Sequence, residues 1–248
     1  MRSLVTADEV HTWRTQGFLA LDRPVVPKAD LEHLRALLMP LVDGWSTLPT
    51  GHAQDLGTPG PDGLPSVPEV TCPSRLQPRL LRAAGFARLR RVAGTLLDDR
   101  PLRLHFDHLV AKPPGAPATA WHQDVAFDPG FDIPMATLWL PFISVSSANG
   151  AMQFIPASHR GAVLDHVAHG RHGQRALIDV EVVEKSVTCP IPAGALCAHM
   201  ARTLHASVPN TTDDLRLAWV MKFVPDDRPA WRRAVADRRA RRNPVSYI

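Results

Sequence analysis

The chain has 248 residues, 45% hydrophobic and 21% charged, which is enough for one large globular domain and excludes a disordered chain. Its 24 prolines are about double the usual share of roughly 5%. Because proline interrupts helices and central strands, this content excludes a helical bundle and predicts short elements joined by shaped loops. The formal net charge of +4 lies largely in one C-terminal stretch, so it does not indicate a nucleic-acid surface on the domain.

The first hundred residues read as a helical layer. Thr6 and Glu9 have capping-box spacing, which predicts a helix from about Ala7 to Gln16. The stretches "KADLEHLRALLMPLV" and "LQPRLLRAAGFARLRRVAGTLL" carry leucines at helical intervals and predict a second and a third helix. Between them, residues 47–76 are rich in proline and glycine, and a loop of that length is normally functional. We interpret it as a lid or substrate-contacting loop.

From residue 101 onward the pattern changes to short strands separated by turn sequences such as "KPPGAP", "SSANG", "PIPAG" and "PNTTDD". The predicted strands are "RLHFDHLVAK", "ATLWLPFISV", "AMQFIP", "ALIDVEVVEKSVT", "ALCAHM" and "RLAWVMKFV". At least six such strands indicate an antiparallel sandwich, barrel or jelly roll. We therefore predict a single domain over 1–248, with a β core at 101–225 and a basic tail at 226–248.

The ends and the cysteines indicate a cytoplasmic protein. Cys72, Cys189 and Cys197 are an odd number without CxxC spacing, which points to free thiols in a reducing compartment. The N-terminus "MRSLVTADEVHTW" is polar where a signal peptide would be apolar, and no window approaches the ~20 apolar residues of a membrane span. The tail "WRRAVADRRARRNP" is interpreted as solvated, with an anionic partner as the alternative.

The stretch "TAWHQDVAFDP" contains a candidate metal-binding motif. On a strand, residues two apart point to the same face, so His122 and Asp124 could project together towards one ion. A lone H-x-D tripeptide is weak because it often arises by chance. A third ligand must come from a distant strand, and "ALCAHMARTLHASVPN" offers His199 or His205.

Arg216, in the apolar strand "LRLAWVMKF", strengthens the motif. A cation in a core strand needs an anionic partner, yet that strand contains no acidic residue. A bound dicarboxylate would supply one, since a guanidinium matches a carboxylate bidentately. Two histidines, one carboxylate and an inward arginine form the constellation of a non-haem Fe(II) oxygenase.

Four fragments in order carry a family resemblance: "DHLVAKPPG", "WHQD", "LWLPFISVSSANGAMQFIPASHRG" and "HMARTLHASVPNTTDDLRLA". They resemble the phytanoyl-CoA dioxygenase-like group of Fe(II)/2-oxoglutarate-dependent oxygenases, from about Phe106 to Val224. The resemblance implies a mainly β fold, a double-stranded β-helix of the jelly-roll or cupin type covered by the N-terminal helices. One departure is "AGAL", where relatives commonly carry an acidic residue after the glycine.

The resemblance also implies the site. Fe(II) would be held by His122, Asp124 and His205, with no catalytic residue beyond these ligands. The distal carboxylate of 2-oxoglutarate would bind Arg216 with help from Ser207. The remaining implied cosubstrate contacts are Trp139 and His108. The implied reaction consumes O2, converts 2-oxoglutarate to succinate and CO2, and hydroxylates or otherwise oxidises a C–H bond. Related halogenases lack the carboxylate, so Asp124 favours oxygenation.

Several alternatives stay open at this stage. His199 could be the ligand and His205 a core residue; Trp139 could be core packing only; and Lys112 is interpreted as structural or electrostatic. His166, His169 and His172 are interpreted as a solvated loop that imitates a metal cluster. The leading function is oxidation of a small molecule of secondary metabolism, without a membrane or nucleic-acid partner. The alternatives are an oxygenase acting on a nucleic acid or protein, and a non-catalytic β-sandwich binding protein.

Overall fold

The computed structural model describes residues 3–58, 63–127, 133–169, 174–177 and 185–226. The helices are α1 (Ala7–Gln16), α2 (Lys28–Asp43), α3 (Pro73–Leu76) and α4 (Ala84–Leu96). The strands are β1 (Phe18–Ala20), β2 (Ala53–Asp55), β3 (Pro68–Thr71), β4 (Leu102–Lys112), β5 (Thr119–His122), β6 (Ala136–Pro141), β7 (Met152–Phe154), β8 (His166–His169), β9 (Gln174–Leu177), β10 (Val187–Cys189), β11 (Cys197–His199), β12 (His205–Ser207) and β13 (Arg216–Pro225).

Two facing sheets form the core. The large sheet has the order β1-β11-β6-β13-β4-β3-β2, and the small sheet has the order β10-β7-β12-β5. From β4 to β7 and again from β10 to β13, the chain enters the two sheets in an interleaved order, and the paired strands are antiparallel. This is the winding of a double-stranded β-helix, so the predicted fold class is confirmed.

The helices cover the outer face of the large sheet. Because side chains alternate along a strand, β13 sends Leu217, Trp219, Met221 and Phe223 to the helical side. They join the buried apolar face of α4, whose members are Phe86, Leu89, Val92, Ala93 and Leu96. Removing this much apolar surface from water at about 25 cal/mol per Å² gives the domain its main stabilisation.

The other face of the large sheet looks into the space between the sheets. There the inward side chains of β13 are Arg216, Ala218, Val220 and Lys222, interleaved with the outward set. A second apolar cluster, including Trp139 from β6 and Phe154 from β7, packs in this space. Arg216 and Lys222, the polar inward residues of β13, therefore lie on opposite sides of the apolar inward residues Ala218 and Val220.

The helix predictions hold with one difference. Helix α1 has the predicted bounds, and its capping box is formed: Thr6 Oγ1 accepts from Glu9 N at 3.2 Å, and Thr6 N donates to Glu9 Oε2 at 2.7 Å. Helix α2 matches the second prediction. The third predicted helix is interrupted at Ala83, whose extended backbone separates a 3₁₀ turn over Pro78–Arg82 from α4.

The segment 47–76 contains more regular structure than a loop. It forms β2 and β3, which extend the large sheet beyond β4. The proline and glycine content of this segment predicted a loop in place of these strands. The ends of their connection are held by a side chain: Asp55 accepts from the backbone N–H groups of Gly57, Ser66 and Val67. The predicted role of the segment as a lid or substrate contact stays a prediction.

Two further segments differ from the sequence interpretation. The single strand predicted over "ALIDVEVVEKSVT" is β9 at one end and β10 at the other, with 178–184 outside the described residues. The histidine stretch interpreted as a solvated loop contains strand β8, in which His166 Nε2 accepts from Gln123 N at 3.0 Å. His172 and the basic tail at 227–248 lie outside the described residues.

None of the helices in the described ranges combines the length and the apolar character that crossing a membrane requires.

Candidate active site

The H-x-D motif lies where β5 ends. His122 is the last residue of β5, and Asp124 is the first residue of a 3₁₀ helix over Asp124–Phe127. Gln123 between them is fully buried, and its amide donates to Arg202 O at 2.7 Å while accepting from Leu164 N at 2.9 Å. This anchoring of Gln123 holds the two flanking side chains in place, which the sequence pattern did not reveal.

Strand pairing brings the third candidate ligand to the motif. His205 on β12 lies directly opposite His122 on β5 in the small sheet. His122, Asp124 and His205 each offer one potential ligand atom. These three atoms lie within 4.8 Å of one another, close enough to share one metal ion. Sequence reasoning expected this set, and the structure brings its three members together.

Both imidazoles are oriented for metal binding through Nε2. The Nδ1 atom of His122 lies 2.8 Å from Ala120 O, and the Nδ1 atom of His205 lies 2.9 Å from Thr203 O. A carbonyl only accepts, so both Nδ1 atoms are assigned the proton and both Nε2 atoms keep a lone pair. Such a backbone contact fixes the tautomer and ring orientation of a metal-ligating histidine.

The two histidines are neutral near pH 7. Burial, opposed by Asp124, lowers the pKa of His122 to about 4. Burial, together with His199 and His122, holds the pKa of His205 well below its usual range. A metal ion therefore does not have to displace a proton from either imidazole at neutral pH.

The Asp124 carboxylate is held by three neighbours. Thr137 Oγ1 donates to Oδ2 at 2.7 Å, His199 Nε2 lies 3.2 Å from the same oxygen, and Lys222 Nζ donates to Oδ1 at 2.8 Å. Burial opposes ionisation, but Lys222 and the histidines outweigh it, so the pKa of Asp124 lies well below its usual value. Asp124 is thus an oriented anion.

The two candidate third ligands occupy different positions. His199 on β11 is 1% exposed, and its ring is tilted against that of His205 with ring centroids 4.0 Å apart. Its Nε2 is directed to Asp124, whereas the Nε2 of His205 is available. This arrangement favours His205 as the ligand and His199 as the residue that positions the carboxylate.

The donor set fits iron. Two neutral imidazole nitrogens and one carboxylate are the ligands of the 2-His-1-carboxylate site of non-haem Fe(II) oxygenases, which leaves coordination positions for other molecules. The chemistry of the three side chains and their convergence both fit that metal.

Arg216 lies at the other end of the interior. It is 1% exposed, and its Nε and Nη1 atoms have no hydrogen-bond partner among the described residues. Its Cζ lies 5.4 Å from the centre of the Trp139 ring. Gly150, with a φ of +90°, allows the close approach, because a Cβ there would lie 2.9 Å from Arg216 Nε. Burial lowers the pKa of Arg216 to about 9.

Lys112 is a second buried basic side chain beside Arg216. It lies opposite Arg216 in the β4–β13 register and is 0% exposed. Its Nζ donates to Ser207 Oγ at 2.8 Å and to Val208 O at 3.0 Å. Burial and the adjacent Arg216 lower its pKa to about 6. Within the described residues, no acidic group offsets either cation.

The two basic side chains indicate what this part of the interior can bind. Burial lowers the pKa of both, and an anion with several acceptor oxygens would favour their charged forms and accept their hydrogen bonds. Sequence reasoning assigned Lys112 a structural or electrostatic role. The available signal was its place on a strand, in "AKPPG", but the pairing partner Arg216 lies 104 positions away in the sequence (216 − 112).

The other predicted cosubstrate contacts lie in different places. Ser207 contacts Lys112, and its Oγ donates to Thr119 Oγ1 at 2.9 Å; the described contacts do not join it to Arg216. Trp139 is 4% exposed and lies beside Arg216. His108 is paired with Glu69, at 2.8 Å between Nδ1 and Oε2.

The fold and the donor set define a class, the 2-oxoglutarate-dependent non-haem iron dioxygenases, whose cofactors are Fe(II), 2-oxoglutarate and O2. The chain belongs to the phytanoyl-CoA dioxygenase family, whose model matches residues 13–218.

Solved structures share this fold. EvdO2 from Micromonospora carbonacea var. aurantiaca, complexed with 2-oxoglutarate, is 28% identical with a TM-score of 0.76, over 90% of this chain and 91% of that chain. The epimerase SnoN, in complex with Fe3+, alpha ketoglutarate and nogalamycin RO, is 22% identical with a TM-score of 0.69, over 88% of this chain and 82% of that chain. At that identity, the likeness to SnoN shows the fold alone.

A curated relative is the probable alpha-ketoglutarate-dependent hypophosphite dioxygenase of Stutzerimonas stutzeri. It is 35% identical over 139 residues, which is 52% of this chain. The match spans 47% of that relative, so this chain covers about half of its length.

Proposed function

We propose that this protein is an Fe(II)/2-oxoglutarate-dependent oxygenase that hydroxylates, or otherwise oxidises, a C–H bond of a small molecule of secondary metabolism. Succinate and CO2 are the co-products. The single observation that carries the proposal is the placement of two complementary groups between the same two sheets: a convergent His122, Asp124 and His205 set, and the buried basic side chains of Arg216 and Lys112.

His122, Asp124 and His205 would hold the iron. The bound iron supplies the oxidative decarboxylation of 2-oxoglutarate that drives C–H oxidation. The residues of the chain orient the reactants: Thr137 and His199 fix the Asp124 carboxylate, and backbone carbonyls fix both imidazoles. Asp124 occupies the ligand position that the related halogenases lack, so oxygenation is proposed over halogenation.

Arg216 and Lys112 would bind the distal carboxylate of 2-oxoglutarate. Both have inward positions on adjacent strands, and Ser207 contacts the Lys112 ammonium at 2.8 Å. Ser207 would therefore act through Lys112, and Trp139 would line the pocket beside Arg216. A cosubstrate contact from His108 stays a prediction of the family resemblance. The bound 2-oxoglutarate of EvdO2 supports the choice of ligand.

The wider setting is part of the proposal. SnoN and SnoK, from nogalamycin biosynthesis, share this fold, which supports a natural-product substrate. Three free buried thiols, Cys72, Cys189 and Cys197, support a cytoplasmic location. The alternative oxygenase substrates, a nucleic acid or a protein, are supported only by the arginine-rich tail, and their sign would be a steep salt dependence of binding.

Anaerobic addition of Fe(II) and 2-oxoglutarate to the wild-type protein tests the proposal. We expect a metal-to-ligand charge-transfer band in the visible, because Fe(II) held by His122, Asp124 and His205 would keep coordination positions for the keto acid. Admission of O2 should then release succinate. A panel of small molecules, with hypophosphite included, identifies compounds that accelerate the release. A folded protein without the band would contradict both the metal and the cosubstrate assignment.

The lowered pKa of Lys112 predicts proton uptake on cosubstrate binding. With a pKa of about 6, Lys112 is mainly neutral at pH 7.5, and an adjacent carboxylate would raise that pKa. Up to one proton is therefore taken up per 2-oxoglutarate, and affinity falls by up to about tenfold per pH unit above pH 6. Calorimetry in two buffers of different ionisation enthalpy measures the uptake.

The Lys112→Met variant should lose this proton uptake and bind 2-oxoglutarate at least tenfold more weakly, because the charge-assisted contact is removed. Lys28→Met, at a residue whose side chain is 91% exposed, is the matched control and should behave as wild type. Equal proton uptake in the Lys112→Met and wild-type proteins would show that another group titrates.

A further inference from the structure

A buried carboxylate holds His108 in the interior of the domain. Strand β3 pairs with β4 so that Thr71 lies opposite His108, with Glu69 two residues before Thr71 on the same face. Glu69 Oε2 lies 2.8 Å from His108 Nδ1, and Thr71 Oγ1 donates to Glu69 Oε1 at 3.2 Å. Glu69 is 6% exposed, so this contact is shielded from solvent.

The contact determines which nitrogen of His108 carries a proton. Burial opposes ionisation of Glu69, but His108, Thr71 and Lys222 outweigh it and lower the pKa of the carboxyl. An ionised carboxylate only accepts, so the proton is assigned to Nδ1. Nε2 is then the nitrogen left for a ligand, and in the neutral form of the ring it carries a lone pair; it has no hydrogen-bond partner among the described residues.

His108 is partly exposed on the inward face of β4, and a chain of contacts links it to Asp124. It lies on the same face of β4 as Lys112, which reaches across to Ser207 of the small sheet, so this face looks inward. Its side chain is 19% exposed, and its ring lies 5.4 Å from that of Phe106. Phe106 in turn lies 5.8 Å from the Nζ of Lys222, which contacts Asp124.

The charge of the pair selects what it can bind. The ionised Glu69 carboxylate beside the ring disfavours a second carboxylate such as those of 2-oxoglutarate. The basic pair Lys112 and Arg216 lies farther along the same strands, and His108 is four positions from Lys112 on β4, roughly 13 Å. A lone pair next to an anion suits a neutral hydrogen-bond donor.

We propose that the Glu69–His108 pair binds a hydroxyl group of the organic substrate, with His108 Nε2 as the acceptor and Glu69 as the residue that positions it. The inference rests on the proposed function and names its substrate class: a molecule that combines an apolar face with a hydroxyl donor. Phe106 and the half-exposed Phe127, whose ring meets His122 edge-on at 5.7 Å, provide the apolar surface.

The inference is tested with aromatic and alicyclic alcohols, each paired with its methyl ether. The protein is loaded with Fe(II) and 2-oxoglutarate, and stimulation of succinate release is measured against the concentration of each compound. For wild type, we expect at least one alcohol to stimulate release and its ether to require at least tenfold more compound, since the ether leaves a buried acceptor unpaired. In His108→Leu this ratio should fall to within twofold of one.

Two variants and one control separate positioning from folding. Glu69→Gln should also reduce the alcohol-to-ether ratio, because an amide can donate to Nδ1 and reverse the tautomer. Both variants should keep the charge-transfer band and a 2-oxoglutarate affinity within threefold of wild type. His33→Leu, at an exposed histidine of α2, is the matched control and should retain the wild-type ratio.

Three results would overturn the inference. An alcohol-to-ether ratio that is unchanged in His108→Leu would remove the hydroxyl contact. A tenfold loss of 2-oxoglutarate affinity in His108→Leu would assign the residue to the cosubstrate instead, as the family resemblance predicts. A wild-type protein that forms the band but responds to none of the alcohols would exclude the substrate class. Loss of the band in wild type would instead remove the proposed function itself.

Discussion

The Asp124→Ala variant is expected to lose the charge-transfer band and to bind Fe(II) at least 100-fold more weakly. Asp124 is the only carboxylate in the proposed ligand set, and the remaining His122 and His205 offer two neutral nitrogens. The measurement is anaerobic titration with Fe(II) in the presence of 2-oxoglutarate, in chloride-free buffer so that halide cannot fill the vacated position. Asp22→Ala, at an exposed aspartate, is the matched control and should keep the band.

Folding has to be separated from metal binding in this experiment. Asp124 also pairs with Lys222, and removal of one member of a buried ion pair costs about 3–5 kcal/mol. The double variant Asp124→Ala/Lys222→Met removes both members and should recover most of that stability without recovering the band. If the folded double variant forms the band at wild-type intensity, Asp124 is not an iron ligand.

The Arg216→Gln variant is expected to bind 2-oxoglutarate about 100-fold more weakly or worse, with Fe(II) affinity within threefold of wild type. Loss of one partner of a buried, hydrogen-bonded charge pair costs about 2–5 kcal/mol, and about 3 kcal/mol corresponds to roughly two orders of magnitude. Because Arg216 has an unpartnered Nε and Nη1 in the described structure, the ligand-free variant should not be less stable than wild type.

Two titrations resolve these effects: Fe(II) binding without cosubstrate, and 2-oxoglutarate binding to the iron-loaded protein. Arg35→Gln, at an exposed arginine of α2, is the control for a change of charge alone. An equal loss of iron and 2-oxoglutarate affinity in Arg216→Gln would contradict its role as the cosubstrate anchor and would indicate a general disturbance of the cavity.

Site residues that lie close together in the sequence could be predicted, whereas those whose role depends on distant strand pairings could not. His122 and Asp124 are two positions apart, so their pattern was visible in the sequence, and the ordered family fragments extended it to His205 and Arg216. Lys112 and Glu69 carried no comparable signal. Their importance depends on the registers Lys112 with Arg216 and Glu69 with Val110, which are long-range pairings. Local periodicity does not encode which strand becomes the neighbour of which.

The fold shows the same division. Helix α1 was predicted to the residue because its start depends on a local capping box, Thr6 with Glu9. Strands β2 and β3 were missed because the Asp55 side chain, rather than a strand-like sequence pattern, organises their connection. Three-residue strands such as β12 are too short for alternation to stand out, although β12 carries His205.

The amino-acid sequence was sufficient for the β-rich fold class, the H-x-D motif and the buried arginine, because each depends on residues close together in the chain or on an order of fragments that resembles a known family. Tertiary structure was needed to decide which nitrogen of His122 and His205 is free, why Asp124 is ionised and oriented, and which basic side chains lie together between the sheets. These properties arise from burial and from hydrogen bonds between distant strands. They exist only after the two sheets have closed on each other.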